Sequence, residues 1–177
     1  MATVRILLAF ICFAAVGKLH VPDRNLLIPS SVPPVVLIAR KELGVREATG
    51  KNDGPRIKAY LAAAGLKTGA PWCAAFVSWV HQQAGDPLPR TGWSPALFPQ
   101  AKLKKMPAPG LVFGIYFPEL KRIAHCGFVE ALHGKWIYTI EGNTNPAGTR
   151  EGDGVHRRLR LQKTIRSYAD WRYTCEK

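Results

Sequence analysis

The sequence predicts an α+β fold, and three observations predict it. Apolar residues recur at helical spacing up to about residue 85, a proline- and glycine-rich connection runs from 86 to 110, and four strand-like apolar runs follow. Helices first and strands afterwards imply N-terminal helices packed on an antiparallel sheet. With 177 residues and 47% hydrophobic content, the chain has room for one domain with a sizeable core.

The N-terminus reads as an export signal over residues 1–17. Arg5 supplies the positive flank, Ile6 to Val16 the apolar run, and Ala15 and Gly17 the small residues at a cleavage position. The run is short for a bilayer span, so stable membrane insertion is not expected and the mature chain should be secreted or periplasmic. Residues 18–32 are polar and proline-punctuated and read as a linker, leaving 33–177 as the domain.

Residues 34–43 predict a first helix, with proline tolerated in its first turn and Gly44 at its end. Asp53-Gly54-Pro55 opens a second, on which Ile57, Tyr60, Leu61 and Ala64 share a face before Gly65. The third runs from Pro71-Trp72 to about Gly85. Cys73, Phe76, Val77 and Val80 lie on one face and Trp72, Ala75 and Trp79 on the next, so it should be central and buried. The connection carries at most a short helix over 95–102. Strands are expected over 111–117, 124–132, 135–141 and 155–161, with His133-Gly134 turning between the middle pair.

Removing the signal takes only Arg5 from the formal charge of +13, leaving 13 − 1 = +12. Such an excess draws polyanions from about a Debye length, roughly 10 Å. For an exported chain, acidic cell-wall polymers are the simplest partner; no groove-reading helix or interleaved basic-aromatic motif points to nucleic acid. The clusters Lys102, Lys104, Lys105 and Arg157, Arg158, Arg160 fit either such a patch or ordinary solvated faces. Three cysteines would remain after export, Cys73, Cys126 and Cys175, an odd number that leaves a thiol unpaired. A Cys126–Cys175 disulfide with Cys73 free is one arrangement consistent with that count.

Cys73 stands at the first turn of an apolar helix, where partial positive charge and unpaired amides favour the thiolate and can hold an oxyanion. A nucleophilic thiol needs a base. His81 lies eight residues along the same helix, about 12 Å away, too far to serve. His20 falls in the linker and His133 in a turn, which leaves His125 at the head of a strand and His156 in reserve. A third group should orient the imidazole. Glu130 is an odd number of strand positions from His125 and should face the other side; Glu141 ends the next strand, and Asn143 shares its face if the strand continues. Either Glu141 or Asn143 can fill the role.

Pro71-Trp72-Cys73-Ala74-Ala75-Phe76, His125-Cys126-Gly127-Phe128-Val129 and Glu141-Gly142-Asn143, in this order, resemble the CHAP family of cysteine amidohydrolases and peptidases that cut peptidoglycan. The likeness runs from about Val35 to Arg160. It implies a papain-like (NlpC/P60-type) fold, a nucleophile at Cys73 whose amide helps hold the oxyanion, a base at His125, and orienting roles for Glu141 and Asn143. It implies cleavage of an amide bond, by an N-acetylmuramoyl-L-alanine amidase or a stem or cross-bridge endopeptidase, with Trp72, Trp93 and Tyr116 as candidates to line the cleft. Peptidoglycan is then the expected partner of a monomeric chain, with no cofactor. Two departures matter. Many members carry glutamine just before the nucleophile, where this chain has Trp72. The stretch Thr49-Gly50-Lys51-Asn52-Asp53-Gly54, where some relatives bind calcium, offers one carboxylate beside a lysine, so no metal is expected. Rival readings are a non-catalytic wall-binding module and an interbacterial toxin using the same chemistry.

Overall fold

The computed structural model describes residues 32–147 and 152–173. The expected signal segment 1–17, nearly all of the linker, and Cys175 lie outside the described residues.

Among the described residues three α-helices come first: α1 (Pro34–Lys41), α2 (Pro55–Ala63) and α3 (Cys73–Gln83). α1 and α2 each begin on proline, whose fixed φ suits a first turn and whose missing N–H costs nothing there. The Glu42 carboxylate, just past α1, ties these two helices together. It accepts from Arg56 at 2.6 and 2.5 Å and from the Tyr60 hydroxyl at 2.5 Å. Burial works to raise this carboxyl, and the bonds from Arg56 and Tyr60 outweigh it and hold it below its usual value.

Six antiparallel strands follow among the described residues: β1 (Leu103–Lys104), β2 (Val112–Phe117), β3 (Arg122–His133), β4 (Trp136–Thr144), β5 (Gly154–Leu161) and β6 (Ser167–Ala169), in spatial order β1-β6-β2-β3-β4-β5. The α+β class is therefore observed, with helices leading an antiparallel sheet. The short strands β1 and β6 extend it beyond the four expected, because two- and three-residue strands carry no measurable alternation.

α3 is buried from Cys73 through His81. Tyr60 packs its ring 5.5, 5.3 and 5.2 Å from Trp72, Phe76 and Trp79, while Phe76 meets Phe128 of β3 at 6.2 Å. Aromatic edges thus join α2 to α3 and α3 to the sheet. A smaller cluster of Leu111, Phe113, Val129, Ile137 and Tyr168 forms separately. Alternation along β3 sends Cys126 and Phe128 into the helix-side core and Val129 into this second cluster.

Candidate active site

Cys73 is the first residue of α3, and its backbone N–H has no partner among the described residues. Its sulfur lies 3.4 Å from the Ser94 hydroxyl, which in turn lies 3.9 Å from the Cys126 sulfur. Both cysteines are free thiols, so Cys126 is not in a disulfide.

His125 reaches the same place from β3. Its Nε2 is 2.8 Å from Glu141 Oε2, and both side chains are buried. The other ring nitrogen, Nδ1, is buried without a partner at ordinary hydrogen-bond geometry. The Cys73 sulfur nevertheless acts on the ring, and catalytic contacts are often loose before substrate arrives.

The electrostatics follow from these contacts. The Cys73 thiol is held well below its ordinary range, first by the neighbouring Cys126 thiol, then by the interaction and charge of His125 and by Ser94, against the opposing effect of burial. Burial would depress the imidazole, but Cys73 and Glu141 outweigh it and raise it to about 9. Burial likewise pushes Cys126 well above its usual value, and its neighbour Cys73 adds to that push. The arrangement therefore favours a Cys73 thiolate beside a His125 imidazolium, with Cys126 a neutral donor.

Glu141 stays ionised although fully buried. Burial works against the charge, yet Arg160 and His125 bring the carboxyl down to about 2. Arg160 grips it with two N–H groups at 2.6 Å each, and the Thr139 hydroxyl donates to Oε1 at 2.5 Å. Gly127 makes room for this carboxylate. A Cβ there would stand 2.7 Å from the Ile140 carbonyl and 3.0 Å from Glu141 Cγ.

No protein-family model matches this chain, and no curated protein matches it. Among solved structures it is similar to "The crystal structure of Ly7917", at 16% identity and a TM-score of 0.47, over 78% of this chain and 61% of that one. It thus spans about three fifths of that chain's length, and a likeness at this level carries no argument about activity.

No hydrogen bond joins Asn143 to His125 among the described residues. It sits at φ 56 where the β4–β5 register shifts, and its Oδ1 accepts from the Trp72 backbone N–H at 3.1 Å. Its amide donates to Asn52 Oδ1 at 3.0 Å and the Gly152 carbonyl at 3.2 Å. Continuing the strand alternation past Glu141 fails because the pairing breaks there. Asn143 thus caps the entrance of α3, satisfying the amide just before the nucleophile.

Trp72 is fully buried, and its indole N–H donates to Glu47 at 2.8 Å, so it lines no cleft. With both its N–H groups engaged, it supplies no oxyanion donor either. Trp93 and Tyr116 are exposed, beneath the Arg122 and Arg166 guanidinium groups at 4.2 and 5.8 Å from their rings. Trp93 adjoins Ser94 and is the better placed of the two to meet a substrate.

The other histidines serve elsewhere. His81 pairs with Asp86 at 2.7 Å and His156 with Asp153 at 3.2 Å. Glu130 receives Arg40 and Arg157 at 2.6 Å each. In the 49–54 loop, Asp53 accepts from the Thr49 backbone and hydroxyl, and among the described residues no group of three or more His, Cys, Asp or Glu is placed to hold a metal. No helix among them is long and apolar enough to cross a membrane.

Sequence reasoning did not single out Ser94, Cys126 or Arg160 as site residues. Gly92-Trp93-Ser94-Pro95 carries a turn signal but nothing that points to Cys73. Cys126 stands in the sequence as a disulfide candidate and inside the His125-Cys126-Gly127 motif, with no chemical role of its own. Arg160 is one cation in a cluster, although its place two residues after Arg158 on an alternating strand puts both on one side.

Proposed function

We propose that this chain is a cysteine hydrolase that cuts an amide bond of peptidoglycan, an N-acetylmuramoyl-L-alanine amidase or a stem or cross-bridge endopeptidase, on a papain-like (NlpC/P60-type) fold. The observation that carries the chemistry is a helix-start thiol acted on by an imidazole whose far nitrogen is fixed by a buried carboxylate. The substrate class rests on the CHAP-like motifs around Cys73, His125 and Glu141.

In the reaction the Cys73 thiolate attacks the amide carbonyl carbon, and the electron pair displaced onto oxygen is met by the Cys73 N–H. The tetrahedral intermediate collapses, the C–N bond breaks, and His125 Nδ1 gives its proton to the departing amine. Neutral His125 then takes a proton from water as that water attacks the thioester. Release of the acid returns the thiolate–imidazolium pair. Throughout, Glu141 holds Nε2–H so that Nδ1 faces the reacting atoms.

Purified protein incubated with muropeptides should release new amines, seen by mass spectrometry, and Cys73→Ala should abolish release while melting at the same temperature. A folded alanine variant that still cleaves would overturn the proposal. No release by the unaltered chain from any muropeptide, with alkylation of Cys73 leaving sacculus binding intact, would favour a wall-binding module instead.

A further inference from the structure

Positive charge in this chain is unevenly neutralised. Arg40 and Arg157 share Glu130, Arg56 is held by Glu42, Arg160 by Glu141 and Arg172 by Asp170. Four other cations, Lys104, Lys105, Lys163 and Arg166, line a single cavity of about 640 Å³ formed by β1, β6 and the turn after β5. All four are exposed, none has a salt-bridge partner among the described residues, and no carboxylate lines the cavity. Asp170 feels the charge of Lys104 but gives its own oxygens to Arg172.

Like charges gathered on a concave wall repel one another and focus a positive potential into the space they enclose. Tyr168 also lines the cavity, and its hydroxyl is buried without a hydrogen-bond partner. Leu103, Met106 and Ile165 supply apolar wall between the cations. This is a site shaped for a flexible chain that alternates anionic groups with short uncharged spacers.

We propose that this cavity binds a linear polyanion with closely spaced phosphate groups. A guanidinium fork and three ammonium point charges suit phosphate oxygens, and the lining has no exposed aromatic ring on which nucleic-acid bases would stack. The cavity lies two strands from β3, which carries His125. Ser167 of β6 pairs with Gly114 of β2, which pairs with Cys126 of β3, two strand spacings or about 10 Å in all. Arg166 also sits over Tyr116 of β2, 5.8 Å from its ring. A polymer held there would keep the protein on an anionic matrix while leaving Cys73 free to work. The proposal needs no hydrolysis and stands apart from the catalytic reading.

The test is calorimetric titration of the full chain with sodium polyphosphate at low salt. Binding is expected, and the paired reversal K104E/K163E should weaken it about tenfold or more without moving the thermal midpoint. K58E/K67E changes net charge equally, at exposed lysines outside the cavity, and should bind like the unaltered chain. C73A should bind normally whether or not the chain proves to be a hydrolase. Absent binding, equal losses in the two paired variants, or tighter binding of a single-stranded oligonucleotide of matched charge would each overturn the assignment.

Discussion

His125 Nε2 lies 2.8 Å from Glu141 Oε2, and neither side chain is reached by solvent. That bond fixes which nitrogen carries the bound proton and so which one faces the thiol. Because Arg160 holds the same carboxylate, Glu141 can stay charged in a place where a lone carboxylate would take up a proton. Glu141→Gln keeps the shape and removes the charge. The imidazole should then titrate below 9, followed by NMR, and turnover should fall about 100-fold or more. Arg160→Met should lower turnover less, since His125 still meets a carboxylate.

The same pair sets the pH dependence. Turnover needs the imidazolium proton for the leaving amine, so activity should hold through neutrality and fall as pH rises through about 9. Stability follows the folded and unfolded values. The His125 contribution is fully present below its ordinary 6.5 and is lost as pH climbs through about 9. Glu141 contributes fully above its ordinary 4.5, and that contribution is lost as pH falls toward about 2. Thermal melts across pH should therefore decline at both ends, and Glu141→Gln should flatten both limbs. An unchanged alkaline limb in that variant would assign it to another group.

Cys126→Val tests the second thiol. The substitution suits a site inside the helix-side core and removes the donor that does most to lower Cys73. The pH profile of Cys73 alkylation by iodoacetamide should shift upward with little change in melting temperature. Cys126→Ser restores a donor and should return the profile toward its original position. Identical profiles in all three proteins would show that Cys126 has no part in activating the nucleophile.

Much of this arrangement is legible in the sequence because it rests on periodicity. The buried circumference of α3 and the facing of Glu130 away from His125 follow from spacing alone, and the observed contacts agree. What was not legible depends on departures from regularity or on distant partners. Asn143 leaves the strand alternation at a register shift, Ser94 arrives from an irregular connection, and Arg160 meets Glu141 only once β5 pairs with β4. Side-chain pairing across strands is set by register, which no single run of residues encodes.

Gly142 lets α3 lie close against β4. A Cβ there would stand 2.6 Å from Trp72 Cζ3 and 2.8 Å from Phe76 Cβ, both held in a packed core. Gly142→Ala should destabilise the protein by about 1–3 kcal/mol, measured by urea unfolding. An unaffected midpoint would mean that the helix yields without cost.

Asn143 separates two roles that a site of this kind offers to one residue. If it oriented the base, its removal would change how His125 titrates; if it caps α3, removal should loosen the helix start and leave the imidazole alone. Asn143→Gly keeps the left-handed backbone at no steric cost while deleting the amide, so it isolates the hydrogen bonds to Trp72, Asn52 and Gly152. The expected outcome is a loss of about 1–2 kcal/mol in unfolding free energy, as for a lost helix cap, with His125 still titrating near 9. Asn143→Ala should be worse, because it adds the strain of a positive φ. A drop in the His125 value in the glycine variant, at preserved stability, would move Asn143 from the helix start to the base.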